Sequence, residues 1–179
     1  MLPANSNVLF FATFAAAAAG PGPPAAVVCN NDIMENELSV REQIIQVCNR
    51  LFIHTDYREW DKLLSEVFAE AVLFDMESMG GGPPALLPAS AICEAWEAGF
   101  AGLDAVHHLA GNYVVHIQGE TAGVFCYANA THFKQSATQG RTRHFVGSYE
   151  MRLLRTLAGW RIHAFKYNLK YADGNLELL

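Results

Sequence analysis

The first 31 residues contain no lysine, arginine, aspartate or glutamate, so the 12 basic and 18 acidic side chains of the 179-residue chain all follow them. The formal net charge is -6. Because proteins bind a phosphate backbone through clustered lysine and arginine, this balance argues against a nucleic-acid partner. With 51% apolar and 17% charged residues, the composition is typical of one compact domain.

The uncharged N-terminal segment also lacks an apolar run long enough to cross a bilayer. Its longest run, Val8–Ala19, is shorter than the roughly 20 residues of a membrane-spanning helix, and no membrane association is expected. Two interpretations of residues 1–34 stay open: a flexible extension that the fold does not need, or a secretory signal that lacks the usual basic start. The first predicts a cytoplasmic protein and the second a secreted one. The globular domain is expected to span residues 35–179.

The four cysteines have no metal-binding or disulfide-framework spacing. Cys29, Cys48, Cys93 and Cys126 lie far apart, so buried free thiols in a reducing compartment are expected. The motifs GxSxG, HExxH and GxGxxG are absent, which argues against serine hydrolases, zincins and dinucleotide-binding enzymes. Accordingly, neither a cofactor nor a metal is predicted.

Apolar periodicity predicts three helices in the first half of the charged region. The predicted helices cover residues 39–54, 56–68 and 90–100. Ser39 and Glu42 form a capping box, and Asp56 with Glu59 repeats the pattern. By this reasoning Asp56 is the cap of the second helix, and Ser90 is the cap of the third.

Strand-forming residues dominate the second half of the chain. The predicted strands are 71–76, 108–118, 121–134, 141–155 and 160–171, and Gly80–Pro84 is predicted as a loop. Helices followed by a meander of long strands indicate an α+β fold, with helices covering one face of a curved antiparallel sheet. A pocket between the two layers is the expected ligand site.

Three of the seven histidines fall on facing arms of one predicted hairpin. A two-residue turn at 119–120 would place His132 opposite His107, whereas a loop extended to Thr121 would place it opposite His108. A bulge would shift either pairing by one residue. Even positions from 108 to 116 are expected to share a face. A pair of imidazoles is thus possible, although surface or structural histidines remain the alternative.

Several segments resemble the SnoaL-like branch of the nuclear transport factor 2-like superfamily. They are Asp56–Asp61, Phe68–Asp75, His107–Asn112 and Gly159–Ile162. This group includes scytalone dehydratase, hexachlorocyclohexane dehydrochlorinase, polyketide cyclases and ketosteroid isomerase. The resemblance covers residues 39 to about 173. It implies a cystatin-like, cone-shaped α+β barrel, in which a curved, mixed and mostly antiparallel sheet wraps round N-terminal helices, and it implies a homodimer or trimer.

The resemblance also implies a catalytic set. In the dehydratase and dehydrochlorinase branches an aspartate and a histidine act as a dyad, and their positions match Asp56 and His108. A second histidine of the dehydratase matches His132, as a further acid/base or a substrate donor. The general-base aspartate of the isomerase falls near Met76, with Asp75 one place off, so ketosteroid isomerisation is not expected.

The expected substrate-binding residues depart from the dehydratase pattern. Its two carbonyl-polarising tyrosines fall on Thr55 and Met76, which argues against scytalone as the substrate. The residues expected to bind substrate are Tyr57, Met76, Tyr127, Tyr149 and Phe165. The predicted function is a cofactor-free lyase or isomerase of secondary metabolism, acting on a small, largely apolar, aromatic or polyketide-like molecule. The alternative is a non-catalytic binding or dimerisation domain of the same fold.

Overall fold

The computed structural model describes residues 38–178, so the predicted extension at residues 1–34 lies outside the described residues. The helices are α1 (Val40–Asp56), α2 (Trp60–Lys62) and α3 (Ala89–Gly99), with a π-helical turn at Leu63–Val67 and a 3-10 turn at Glu77–Met79. The strands are β1 (Phe68–Asp75), β2 (Ala85–Pro88), β3 (Ala105–Gln118), β4 (Thr121–Phe133), β5 (Thr142–Thr156) and β6 (Gly159–Gly174). No helix among these residues is long and apolar enough to cross a membrane.

The six strands form one mixed sheet in the order β2-β1-β6-β5-β4-β3. Only β1 and β6 run parallel, and the other neighbours pair antiparallel. The predicted α+β class and mostly antiparallel sheet are confirmed. Strands β2 and β3 form the two edges, so the curved sheet is open. The short strand β2 was not predicted. It follows directly on Gly80–Pro84, which was predicted as a loop.

Helix α1 packs its apolar side against the sheet and ends at Asp56. Its capping box is confirmed, since Ser39 N–H donates to Glu42 Oε2 at 2.8 Å and the Glu42 amide donates to Ser39 Oγ at 3.3 Å. Ile44 and Leu51 are buried in the core. The helix extends to Asp56, two residues beyond the predicted end.

Two predicted helix caps are wrong. Asp56 is the last residue of α1, and the cap position of α2 belongs to Glu59, whose side chain makes no capping bond. Arg58 has a φ of 56°, which turns the chain sharply between the two helices and separates Asp56 from α2. Ser90 is not a cap either, because α3 begins at Ala89, directly after Pro88.

A β-bulge in β3 changes the predicted histidine pairing. The register shifts between Gly111 and Val114, where Asn112 has a φ of 57°. In consequence, His132 pairs with Val106, opposite neither His107 nor His108 as predicted. Because strand residues alternate between faces, His108 and His132 still point to the same inner face.

Beyond the bulge the alternation of β3 reverses. Tyr113 and Val115 become the partly buried residues, and Val114 is exposed. The prediction that even positions from 108 to 116 share a face is therefore wrong past Gly111, because the extra residue of a bulge flips every later side chain.

The described cysteines match the expected free, buried thiols. Cys48, Cys93 and Cys126 are free and buried, and Cys29 lies outside the described residues. Burial raises the pKa of Cys93 to about 11 and that of Cys126 to about 12. Both thiols therefore stay protonated and are poor nucleophiles near neutral pH.

Candidate active site

A cavity of about 330 Å³ lies between the inner face of the sheet and the helices. Seven aromatic side chains line it: Phe52, Trp96, Phe100, Phe145, Tyr149, Phe165 and Tyr167. The imidazole and charged side chains in the lining are His108, His132 and Arg143. Its size and mostly apolar walls suit a small aromatic molecule, and its few polar groups would fix the orientation of that molecule.

Asp56 and His108 form a hydrogen-bonded pair at this cavity. Asp56 Oδ1 lies 2.6 Å from His108 Nδ1, and Asp56 Oδ2 accepts from the His108 backbone N–H at 2.8 Å. The side chains are only 13% and 9% exposed. Since an ionised carboxylate can only accept hydrogen bonds, Nδ1 of His108 carries a proton, and in the neutral ring Nε2 holds the free lone pair.

The ring of His108 is held between its carboxylate partner and an aromatic side chain. Phe52 stacks on it, with ring centroids 5.4 Å apart and an interplanar angle of 29°. His108 lines the cavity. The neighbouring His107 also approaches Asp56, with Nδ1 3.7 Å from Oδ2, yet its side chain is 71% exposed. The burial difference makes His108 the member of this histidine pair that can meet a bound ligand.

His132 is the second imidazole of the cavity and has a different partner. Its Nδ1 accepts a hydrogen bond from Arg143 Nε at 3.1 Å. The edges of Phe100 and Phe145 contact the ring, with centroids 5.4 and 5.3 Å away. Burial lowers the pKa of His132 to about 4, and the positive charge of Arg143 adds to this. His132 is therefore uncharged near neutral pH.

The structure separates the predicted substrate-binding residues into two groups. Met76, Tyr149 and Phe165 line the cavity. Tyr57 and Tyr127 are not among its lining residues. Tyr57 follows α1 and is 77% exposed, whereas Tyr127 is 45% exposed.

Strand alternation explains the position of Tyr127. Residues of β4 at even positions, such as Ala128 and Ala130, are buried, so Tyr127 projects from the opposite face. There it contacts Phe125 and lies below the ammonium group of Lys170, which is 5.4 Å from the ring centroid.

Sequence reasoning missed several cavity residues, among them Arg143, Tyr167 and Trp96, of which the first two lie on strands. Arg143 pairs directly with His132 across β4 and β5, and Tyr167 pairs with Tyr149 across β5 and β6. Trp96 lies on α3, and its ring centroid is 5.8 Å from that of Phe165. Extending the hairpin arithmetic to β5 would have indicated Arg143, but not Tyr167, because a register shift between Arg152 and Leu153 moves the partner of Tyr149 by one residue. Nothing in the local sequence distinguishes Trp96 from an ordinary core residue.

Asp75 lies apart from the cavity. Its carboxylate accepts from the Glu77 N–H at 3.1 Å and lies 3.1 Å from Lys166 Nζ. It shares the outer face of β1 with exposed Leu73. This agrees with the expectation that Asp75 does not take the place of the isomerase base. Among residues 38–178, no group of three or more His, Cys, Asp or Glu side chains could hold a metal ion.

Comparison with known proteins establishes the family. The model of the SnoaL-like domain matches residues 36–166, so the chain belongs to this family. The Kfla4162 protein of Kribbella flavida is 30% identical, with a TM-score of 0.73 over 77% of this chain and 95% of that one. No curated protein matches the sequence.

More distant structures share the fold. A Novosphingobium aromaticivorans protein with a provisional name as a scytalone dehydratase is 13% identical, with a TM-score of 0.65 over 75% of this chain and 87% of that one. A hexachlorocyclohexane dehydrochlorinase of Novosphingobium barchaimii is 12% identical, with a TM-score of 0.62 over 76% of this chain and 90% of that one. At these identities the likeness establishes the fold alone.

Proposed function

We propose that the protein is an acid/base enzyme, a lyase or isomerase that needs no cofactor, with His108 as its base. The observation that carries the proposal is the double contact of Asp56 with the ring and backbone of His108 at the wall of a mostly apolar cavity. A carboxylate on one imidazole nitrogen raises the basicity of the other, and low local polarity strengthens the pairing.

In the proposed reaction Nε2 of His108 takes a proton from a carbon next to a carbonyl group. The imidazolium that forms is stabilised by Asp56, and the electron pair moves onto the carbonyl oxygen. The enolate then either expels a leaving group, which gives a lyase, or regains the proton at another carbon, which gives an isomerase. A positioned general base typically contributes about 10² to 10⁴ in rate.

Tyr149 and His132 are the proposed donors to the substrate oxygen. Tyr149 lines the cavity, and its ring contacts Phe52, which in turn stacks on His108. Burial raises the pKa of Tyr149 far above neutrality, so its hydroxyl remains a donor. Tyr149 thus takes the role for which Tyr57 and Tyr127 lie too far out.

The substrate is proposed to be a small aromatic or polyketide-like ketone. The aromatic walls and the cavity volume of about 330 Å³ support a molecule of one or two rings. The names of two structural neighbours, a provisional dehydratase and a dehydrochlorinase, denote eliminations, which also remove a proton from carbon.

Deuterium exchange into 2-tetralone and 1-indanone tests the proposal, because both ketones are aromatic and have exchangeable protons next to the carbonyl. NMR in D₂O should show faster exchange with the wild-type protein than with His108→Gln, by about 10² or more. Thermal unfolding of both proteins provides the control for folding. Equal exchange with wild type, His108→Gln and buffer alone would argue against the enzyme.

The second candidate is a non-catalytic small-molecule-binding or dimerisation domain. The apolar cavity would serve a carrier equally well, since fold does not fix function. Binding of 2-tetralone, followed through the fluorescence of Trp96 at the cavity wall, without any acceleration of exchange would favour this candidate. The expected homodimer or trimer is a separate proposal that light scattering would test.

A further inference from the structure

The pairing of β4 with β5 places Arg143 directly beside His132. The two residues are cross-strand partners, and Arg143 Nε lies 3.1 Å from His132 Nδ1. A guanidinium group has only N–H donors and stays protonated in proteins. The bond therefore requires a lone pair on Nδ1 of His132, and the proton of the neutral ring must then sit on Nε2.

We infer that Arg143 is a positioning residue that holds His132 in its neutral Nε2–H form, so that this nitrogen is a permanent donor to a substrate oxygen. His108 is held in the opposite form, with its proton on Nδ1, by Asp56. One cavity thus contains two imidazoles with different roles. His108 presents a lone pair and His132 presents an N–H.

The guanidinium is itself held in place by other contacts. Arg143 Nη1 donates to the Leu176 carbonyl oxygen at 2.8 Å, and the guanidinium carbon lies 5.5 Å from the centroid of the Phe145 ring. Phe145 also contacts the imidazole of His132. These contacts fix the donor on one side of the imidazole, and the aromatic edges restrict rotation of the ring.

The charges that face His132 come from three elements. Arg143 on β5 and His108 on β3 disfavour the imidazolium, whereas Asp56 on α1 favours it. Burial is the largest influence, and the net result is the lowered pKa of about 4. His132 therefore stays a neutral donor near neutral pH.

This inference also narrows the substrate class, a step that rests on the proposed function. An N–H donor next to a fixed positive charge suits an oxygen on which negative charge develops, because such preorganised donors stabilise an oxyanion in a water-poor site. The substrate is accordingly expected to place a carbonyl oxygen at His132 and the proton to be removed at His108.

NMR of the full-length protein labelled with ¹⁵N-histidine tests the inference without any substrate. Two-bond ¹H–¹⁵N correlations distinguish the two neutral imidazole forms, and the loss of signals in His132→Gln assigns His132. We expect the Nε2–H form alone between pH 8 and pH 5. A proton on Nδ1, or protonation of His132 near its ordinary pKa of about 6.5, would overturn the inference.

Arg143→Met tests whether Arg143 is the cause. We expect a mixture of the two neutral forms and a raised His132 pKa, because the donor and the charge are both removed. Arg152→Met is the matched control, since Arg152 lies on the same strand and lines an outer pocket with Asp75 and Lys166. Arg152→Met should leave both the neutral ring form and the pKa of His132 unchanged. If Arg143→Met keeps the Nε2–H form and the pKa of His132, Arg143 does not have the inferred role.

Exchange into 2-tetralone separates this inference from the proposed function. Arg143→Met should slow exchange by less than His132→Gln does, because the donor on His132 is misplaced for part of the time and is not removed. If the wild-type protein catalyses no exchange while His132 shows the fixed Nε2–H form, the proposed function fails and the role of Arg143 stands. If the wild-type protein catalyses exchange while His132 lacks that form, the proposed function stands and the role of Arg143 fails.

Discussion

Two largely buried aspartates on opposite faces of the sheet show how a partner decides what a carboxylate can do. Asp56 binds the imidazole of His108 at the inner cavity, and Asp75 binds the ammonium group of Lys166 on the outer face. Both carboxylates also accept a backbone N–H, from His108 and Glu77 respectively. By their own hydrogen bonds the two aspartates are nearly equivalent.

The partners differ in what they offer beyond the carboxylate. Lysine is a donor only and keeps its charge, so the pair of Asp75 and Lys166 has no basic atom to offer. The Glu77 amide and Lys166 lower the pKa of Asp75 and keep it ionised. Histidine has a second nitrogen, and in His108 that nitrogen belongs to a ring lining the cavity. The inner pair therefore has an atom that can take up a proton, whereas the outer pair has none.

The largest expected effect is the loss of activity when the inner aspartate is changed. Asp56→Asn should lower ketone exchange by about two orders of magnitude or more, because the amide no longer stabilises the imidazolium of His108. Asp75→Asn, the matched change on the outer face, should leave exchange at the wild-type rate. The measurement is the NMR exchange rate of both variants, with circular dichroism as the control for folding. Equal losses in the two variants would remove the distinction between the faces.

The second prediction concerns stability in mild acid. The folded pKa of His132 is about 4, below its ordinary value of 6.5, so the unfolded state binds more protons between these two values. Stability therefore falls as the pH falls through this window, by about 3 kcal/mol at pH 4. His132→Gln should remove most of this loss in urea unfolding measured at pH 7, 5.5 and 4.5.

The outer aspartate should respond in a different pH range. Because the pKa of Asp75 is lowered, its contribution is present above the ordinary aspartate value and is lost only below about pH 4. Asp75→Asn should thus leave the pH dependence of the free energy of unfolding unchanged between pH 6.5 and pH 4.5. If the free energy of unfolding of His132→Gln depends on pH as it does in the wild-type protein, other groups cause the acid sensitivity.

The sequence predicts the fold better than it predicts the contacts of the site. Helix α1 and four long strands follow from apolar periodicity, because each element buries one face. The bulge at Asn112 does not, since a single left-handed residue within a strand has no periodic signature. It moved the partner of His132 by one or two positions while the inner and outer faces stayed the same before Gly111.

The role of Asp56 shows the same limit. Its local sequence matches a helix cap, and only the approach of β3, 52 residues away along the chain, gives the carboxylate its imidazole partner. The resemblance to the family pointed to that pair, whereas local pattern alone favoured the cap. Arg143 was missed because its pairing with His132 depends on the register of a second hairpin.

A third, smaller effect is expected at the tyrosines of the two faces. Tyr149→Phe removes the hydroxyl and keeps the ring contacts with Phe52 and Tyr167. We expect exchange into 2-tetralone to slow by about tenfold, the equivalent of one hydrogen bond of roughly 1.4 kcal/mol. Tyr127→Phe on the outer face should have no effect. A slower rate in Tyr127→Phe would mean that the outer face contributes to the site.

The smallest effect is expected when the outer ion pair is broken. Lys166→Met removes the ammonium group 3.1 Å from Asp75 and leaves the hydrogen bond from the Glu77 amide. Since an ion pair with one half-exposed partner contributes little, the unfolding midpoint should fall by no more than roughly 4 °C. Ketone exchange should be unchanged, because no atom of this pair reaches the substrate. Calorimetry and the exchange assay together check both expectations. A loss of exchange in a variant that remains folded would connect the outer pair to the chemistry and end the contrast between the two faces.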